Sequence, residues 1–451
     1  MAAQLEDLHL ADLHERAAAA GVPGYRKLGR EELIEALQAE GGADAASPGR
    51  EAEEGGADPA SPGREAEEEA GGDVVVEATV LDVDPSEPVE LGPEGPEGGD
   101  EAGEDLPTHE IRGVLELTRQ RYGFLRLAGL TPSEDDVYIS AAQVRRCELR
   151  PADEVTGPAR DPRRGERHRA LVHVDQVNGE EPLAEVRPEF DSLAPIQPER
   201  RIAMEAAGSD VLARAVDLFA PLSYGQRVLI RAAARSGRTT LLRSIARATA
   251  ANEGTRVIVL LIDERPEEAT AWREALPVAE FAIATADLAP GEQVRTAELA
   301  LERARRRAEV GDDVVLICDS LSRLAFAAGS ADEVKRLFGS GRNLAGGGSL
   351  TVLATVLADG SDEGEAERAV LTTESSLIVL DPELAAAGVH PAIRASESRV
   401  SNEDQLRDAA ELDAVRRLRT QLADLQPADV AALLRERIET TSTNAELLRS
   451  I

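Results

Sequence analysis

The chain has 451 residues, of which 42% are hydrophobic and only 2% aromatic, and a formal net charge of −35. That length suggests two or three domains with cores of their own, and two cysteines as far apart as Cys147 and Cys318 exclude a disulfide framework or a CxxC zinc site. The opening MAAQLEDLHLADLHE lacks the basic and apolar regions of a signal peptide, and no apolar run reaches the roughly 20 residues of a membrane helix, so a cytoplasmic protein without membrane contact is expected.

In residues 1–40, Leu5, Leu8, Leu10 and Leu13 recur at helical spacing, and a Gly-Val-Pro-Gly break precedes a second helical stretch. A small helix–extended–helix module is expected there, with Arg26, Lys27 and Arg30 either touching phosphate or forming a solvated basic corner. Residues 41–107 hold 21 Asp or Glu against two Arg, a net of −19, so most of the acidity belongs to one segment. ASPGREAEE occurs there twice, at 46–54 and 60–68. Such a composition offers too little apolar surface to offset chain entropy, and a disordered, self-repelling linker is predicted.

From Gly113 the texture changes. GVLELT, YGFLRLAG, DDVYIS, EVTGPA and ALVHVDQV are short β-rich runs divided by turn residues, which suits an OB-type barrel over residues 108–190. Tyr122, Phe124 and Arg126 alternate along the second run and so share one face. Aromatic faces on which bases stack, beside cations that track phosphates, are what single-strand binding needs. Asp136, Tyr138 and a basic run of Arg160, Arg163, Arg164, Arg167 and Arg169 follow. An ordinary packing role for Tyr122 and Phe124 is the plainer alternative.

Residues 191–451 predict a doubly wound, mostly parallel α/β sheet with amphipathic helices after about residue 404. RVLIRAAARSGRTTLLRSIA (227–246) reads as strand, small-residue loop and helix, which is the layout of a phosphate-binding loop. The ATP-binding candidates in it are Arg235, Ser236, Gly237, Arg238, Thr239 and Thr240. VIVLLIDERPEE (257–268) is a buried strand that delivers Glu264 and Arg265 to its carboxyl end, and VVLICD delivers Asp319. Glu264 suits a general base toward water, with Arg265 holding it or sensing phosphate. Thr239 and Asp319 suit Mg²⁺. Cys318, inside an apolar strand, reads as a small buried hydrophobe.

The order and wording of these pieces resemble the bacterial transcription termination factor Rho. The resemblance runs through Tyr122-Gly-Phe124-Leu-Arg126, DERPEE, CDSLSRLA, GSGRNLAGGGSLTVLATVL (339–357) and PAI (391–393), over roughly residues 108–410. It implies a RecA-like P-loop ATPase behind the barrel and the N-terminal helical module, assembled as a homohexamer. It also implies single-stranded RNA, ATP with Mg²⁺, and the RNA polymerase transcription complex as partners. By the same resemblance Arg145, Arg146, Glu166, Arg167 and His168 join the RNA cleft, with His168 in place of an aromatic and Cys147 where an aromatic often follows the arginine pair. His390 stands where a ring stacks on adenine, and Arg399, with Arg394 as rival, is nearest the arginine finger.

The departures from the family pattern concern chemistry. Arg238 replaces the loop lysine, and a planar guanidinium is not equivalent to a compact ammonium. Only Gly329-Ser330-Ala331-Asp332 stands where the family carries a long glycine-rich RNA loop. In the second channel loop, Gly360-Ser361-Asp362-Glu363-Gly364-Glu365 puts acid where a lysine follows Gly-Ser, and Gly388 replaces an arginine. An RNA-dependent ATPase and translocase is the first reading. A Rho-derived RNA-binding or regulatory protein with weak turnover is the second, and a rotary-type ATPase subunit the third.

Overall fold

The computed structural model describes residues 107–451 except 184–186, 207, 209 and 359–363. The expected N-terminal module, the expected linker up to residue 106 and positions 360–363 of the acidic loop lie outside the described residues.

Alternation builds the first sheet. Its strands are Thr108–Leu117 (β1), Gly123–Arg126 (β2), Val137–Ile139 (β3), Glu154–Arg160 (β4), Ala170–Leu171 (β5) and Gln176–Val177 (β6). In β2 and β3 every second residue turns inward, Leu125, Val137 and Ile139 joining Leu115 and Val155 in the barrel core. The strands run β1-β2-β3-β5-β4, and antiparallel pairing of β1 with β4 closes the ring. Helix Ala141–Arg146 (α1) is opened by a Ser140–Gln143 capping box. The run expected as one strand, ALVHVDQV, is two short strands, β5 and β6. Opposite the gap stand Pro158, which has no N–H to donate, and Gly157, where a Cβ would lie 2.2 Å from the His173 carbonyl oxygen.

The second sheet adds Pro195–Ile196 (β7), Arg227–Ala232 (β8), Thr255–Glu264 (β9), Glu280–Thr285 (β10), Asp313–Asp319 (β11), Arg342–Leu344 (β12), Ser349–Leu357 (β13), Ser376–Val379 (β14) and Arg399–Val400 (β15). Its order is β10-β9-β11-β13-β8-β14-β15, parallel from β10 to β14, with β15 antiparallel. Helices Val211–Phe219 (α2), Arg238–Ala250 (α3) and Pro266–Ala275 (α4) share one core cluster with Val257, Val259 and Leu261. Pro290–Glu309 (α5), Leu321–Ala328 (α6) and Asp332–Gly339 (α7) share another with Ile258, Leu260 and Ile262. That split explains why β9 is apolar without alternation: both its faces are covered. Each such side chain contributes about 1.5–3 kcal/mol by burial. The C-terminal helices Ala409–Leu422, Pro427–Glu439 and Asn444–Arg449 pack on the α2 side through Val415, Leu418, Leu434, Ile438 and Leu447. No helix among the described residues is long and apolar enough to cross a membrane.

The barrel is fastened to the edge of this sheet. The Leu130 N–H donates to the Phe281 carbonyl on edge strand β10 at 2.9 Å. Gly129, at φ +83, brings the chain so close that a Cβ would sit 3.1 Å from that same oxygen. Arg303 of α5, only 2% exposed, donates to Glu154 of β4 at 2.6 Å and to Glu280 of β10 at 2.8 Å. Glu309 accepts from Arg150 at 2.9 Å and from the Phe190 N–H at 2.7 Å.

Candidate functional site

The parallel strands β8, β9 and β11 end on the same carboxyl side of the second sheet, β11 beside β9 and β13 between β11 and β8, and deliver the charged groups there. β8 leads into the loop 233–237, in which Arg235 has φ +63 and Gly237, the residue that caps α3, has φ +86. Glycine tolerates that left-handed turn, and the first N–H groups of α3 are thereby presented as an anion cradle. Ser236 is buried and its hydroxyl donates back to the Ala233 carbonyl at 2.8 Å, bracing the loop. Arg235 and Thr240 are exposed, and Thr239 is half-buried on the first turn of the helix.

Arg238 reaches across to the neighbouring strand ends. Its Nε lies 3.1 Å from Asp319 Oδ1 and its Nη2 3.9 Å from Glu264 Oε1. Asp319 is fully buried, and its Oδ1 also accepts from the Thr355 hydroxyl of β13 at 3.0 Å. Its Oδ2 is buried without a hydrogen-bond partner. An orphaned carboxylate oxygen near a helix-terminal threonine suits a hard cation. Among the described residues no cluster of three or more His, Cys, Asp or Glu forms a metal cage, so such an ion would have to be completed by phosphate oxygens.

Glu264 ion-pairs with Arg323 of α6 and accepts the Arg265 N–H at 3.3 Å. Burial pushes the Glu264 carboxyl above its ordinary value and Asp319 adds to the rise, the two outweighing the pull of Arg323. The side chain that holds Glu264 is that of Arg323, while Arg265 touches it through its backbone N–H. Arg265 is the exposed capping residue of α4, where the chain turns outward. Cys318 is buried in the core, and burial pushes its thiol up.

Tyr122, Phe124, Tyr138 and His168 form one aromatic cluster on the barrel. Phe124 is 6.0 Å from Tyr122, 6.2 Å from Tyr138 and 5.1 Å from His168 between ring centres, mostly edge to face. Tyr138 is 36% exposed, and burial together with Tyr122 raises its hydroxyl pKa. Arg126 lies 5.9 Å from the Phe124 ring centre, but its charge is matched: Nε donates to Glu116 at 2.8 Å and Nη1 to buried Asp136. Asp136 in turn accepts from the Ser133 N–H and hydroxyl at 2.8 and 2.9 Å. Glu166 is taken by Arg160 through two bonds of 2.6 and 2.7 Å, which hold it below the usual carboxylate range. Arg163, Arg164 and Arg167 are exposed and have no carboxylate partner among the described residues, and Arg169 meets the exposed Asp135 at 3.3 Å. Arg145 and Arg146 are exposed in the last turn of α1, outside the aromatic cluster.

Comparison with known proteins adds to this geometry. The family described as "Rho termination factor, RNA-binding domain" matches residues 111–183, and "ATP synthase alpha/beta family, nucleotide-binding domain" matches residues 213–331. The transcription termination factor Rho of Rhodopirellula baltica is 37% identical over 365 residues, which are 75% of this chain and 71% of that protein. That of Bacillus subtilis is 37% identical over 358 residues, 74% of this chain and 83% of that protein. Rho from Thermotoga maritima is 37% identical over 363 residues, 75% of this chain and 84% of that protein. This chain belongs to the Rho family. Its barrel is an OB-type RNA-binding domain and its mostly parallel sheet a RecA-like nucleotide-binding domain.

Within this Rho-family chain His390 and Arg394 lie near the carboxyl end of β14, whereas Arg399 lies against its amino end. His390 is exposed and precedes Pro391 in the segment that returns to pair Leu380 with Ile393. Arg399 opens β15 with its side chain 61% exposed and 3.1 Å from Glu374. Its rival Arg394 is held by Asp381 at 3.0 Å and Glu397 at 2.9 Å. Where the family's first RNA loop would begin, α6 passes to α7 through three residues, and Phe326 at the end of α6 is 81% exposed. Sequence reasoning missed Arg323, Thr355 and Glu116. Arg323 was within sight, four residues after Asp319 and hence one helical turn beyond the strand end.

Proposed function

We propose that this chain is an RNA-dependent ATPase of transcription termination, acting in the cytoplasm as a homohexamer on RNA emerging from RNA polymerase. The observation that carries this reading is the meeting of Arg238, Glu264, Asp319 and Arg323 at the carboxyl ends of the strands, behind a barrel that displays four clustered rings. In this reading residues 1–40, 41–107, 108–190 and 191–451 are helical module, linker, RNA-binding domain and ATPase domain.

Tyr122, Phe124, Tyr138 and His168 stack on bases, while Arg163, Arg164 and Arg167 meet phosphates. Arg126 and Asp136 set the height of the aromatic face rather than touching RNA phosphate, because their charges satisfy each other. Glu166 fixes the turn that carries Arg167. At the nucleotide, residues 235–240 cradle phosphate and His390 lies against the base. Thr239 and Asp319 hold Mg²⁺, which when bound draws charge from the phosphate oxygens. Glu264 takes the proton of the attacking water, and Arg323 orients it. Arg399 serves the neighbouring protomer's site, and Arg265 faces phosphate from the exposed side.

The engagement of Arg238 with Asp319 favours a second reading, a Rho-family RNA binder of low turnover. The test is ATP hydrolysis by purified protein with and without unstructured RNA, for the natural chain and for Glu264→Gln. RNA-stimulated hydrolysis that disappears in Glu264→Gln, with ATP binding intact, is the expected result. Absence of hydrolysis under both conditions, with RNA binding retained, supports the second reading. Full hydrolysis in Glu264→Gln removes the base assignment.

A further inference from the structure

We infer that Arg238 supplies from within the phosphate loop the positive charge that a divalent cation would bring to nucleotide binding, so that this chain binds ATP without magnesium. The inference rests on the nucleotide site proposed above and concerns what sets its metal requirement.

Three carboxylates, Asp263, Glu264 and Asp319, meet the two guanidinium groups of Arg238 and Arg323 at these strand ends, so Arg238 reduces the excess of acid there before any ion binds. Asp319 is buried, and one of its oxygens is shared between Thr355 at 3.0 Å and Arg238 at 3.1 Å. Glu264 is shared between Arg323 and, at 3.9 Å, Arg238. A lysine ammonium at position 238 would be a single point charge, whereas a guanidinium is a planar fork with five N–H donors. Nε lies 3.1 Å from Asp319 and Nη2 3.9 Å from Glu264 as ion-pair contacts, and among the described residues no N–H of the Arg238 guanidinium is taken up by a hydrogen bond. Arg238 therefore has donors left for a phosphate oxygen while it keeps its hold on the acids. The repulsion between those acids and an incoming polyphosphate is what a metal ordinarily relieves, and here a covalently attached cation relieves part of it. The unpartnered Oδ2 of Asp319 remains available to a metal, so magnesium can still enter for turnover. Its share of the binding energy is what Arg238 takes over.

The experiment titrates the full chain with a fluorescent ATP analogue, once in excess Mg²⁺ and once in EDTA, alongside Arg238→Lys and Arg238→Gln. The natural chain is expected to bind within about threefold under the two conditions. Each variant is expected to lose roughly tenfold or more in EDTA, the scale of one charge-assisted hydrogen bond. A natural chain that loses as much affinity in EDTA as the variants overturns the inference and leaves the nucleotide site standing. Variants that bind as well in EDTA as the natural chain also overturn it, since metal independence then does not come from Arg238. Failure of all three proteins to bind nucleotide with or without Mg²⁺ removes the site itself.

Discussion

Phe124 sits at the centre of the barrel's aromatic cluster, in contact with Tyr122, Tyr138 and His168. Removing it takes away one stacking face and loosens the other three. Stacking of a base on an aromatic contributes about 1–3 kcal/mol, so we predict that Phe124→Ala weakens binding of unstructured RNA by roughly tenfold or more. Unchanged affinity in a direct titration would mean that the rings are only packing for the barrel. This face could be read from the sequence, because alternation alone puts Tyr122, Phe124 and Arg126 together. What Arg126 does there could not. Its partner Glu116 lies ten residues away on β1, directly opposite Phe124, and only the hairpin register makes them neighbours. The same holds for Arg238: the loop was legible, but the pairing with Asp319 depends on how far α3 stands from β11.

The seam between barrel and ATPase sheet was invisible to motif reading, since Arg303 takes its partners from β4 and β10, 149 and 23 residues away. Because Arg303 is buried, removing it leaves Glu280 without this partner and Glu154 with Arg112 alone. Losing one partner of such a buried pair costs about 3–5 kcal/mol, and we predict a destabilisation of that size for Arg303→Ala in denaturant unfolding. A loss of less than about 1 kcal/mol would show that the cluster is hydrated and contributes little. The seam also has a pH signature. Burial raises the Glu154 carboxyl, but Arg303 and Arg112 outweigh it and the net direction is down from the ordinary value of 4.5. A lowered folded-state value means that the stabilisation is present above 4.5 and disappears as pH falls below it. Glu309 shifts the other way, burial outweighing Arg306 and Arg150, so its own titration does not lower folding stability as pH falls, although protonation discharges its pair with Arg150. The expected outcome is a chain whose Arg303→Ala destabilisation, measured by thermal melting, shrinks as the buffer is taken from neutral pH to below 4.5.

With a net charge of −35 the chain as a unit repels nucleic acid, and any binding must come from local cations. Arg163, Arg164 and Arg167 are the exposed arginines of the 161–169 turn without carboxylate partners among the described residues. Each phosphate neutralised on a single strand contributes about 0.7 to the logarithmic salt slope, so three give a slope of about −2. Replacing all three with glutamine should flatten that slope, and an unchanged slope would place the phosphate contacts elsewhere. The order of strands and the acids at their ends were readable because burial imposes them locally, as apolar runs that stop at a charge. The barrel's attachment to edge strand β10 has a mechanical meaning. A backbone hydrogen bond at Leu130, a close approach at Gly129 and a caged guanidinium leave the barrel no hinge at this point. On the proposed function, tension on an RNA strand held against the aromatic cluster is borne as shear along β10, whose last residue Thr285 pairs with Glu264, so the cluster works as a rigid handle and not as a tethered hand.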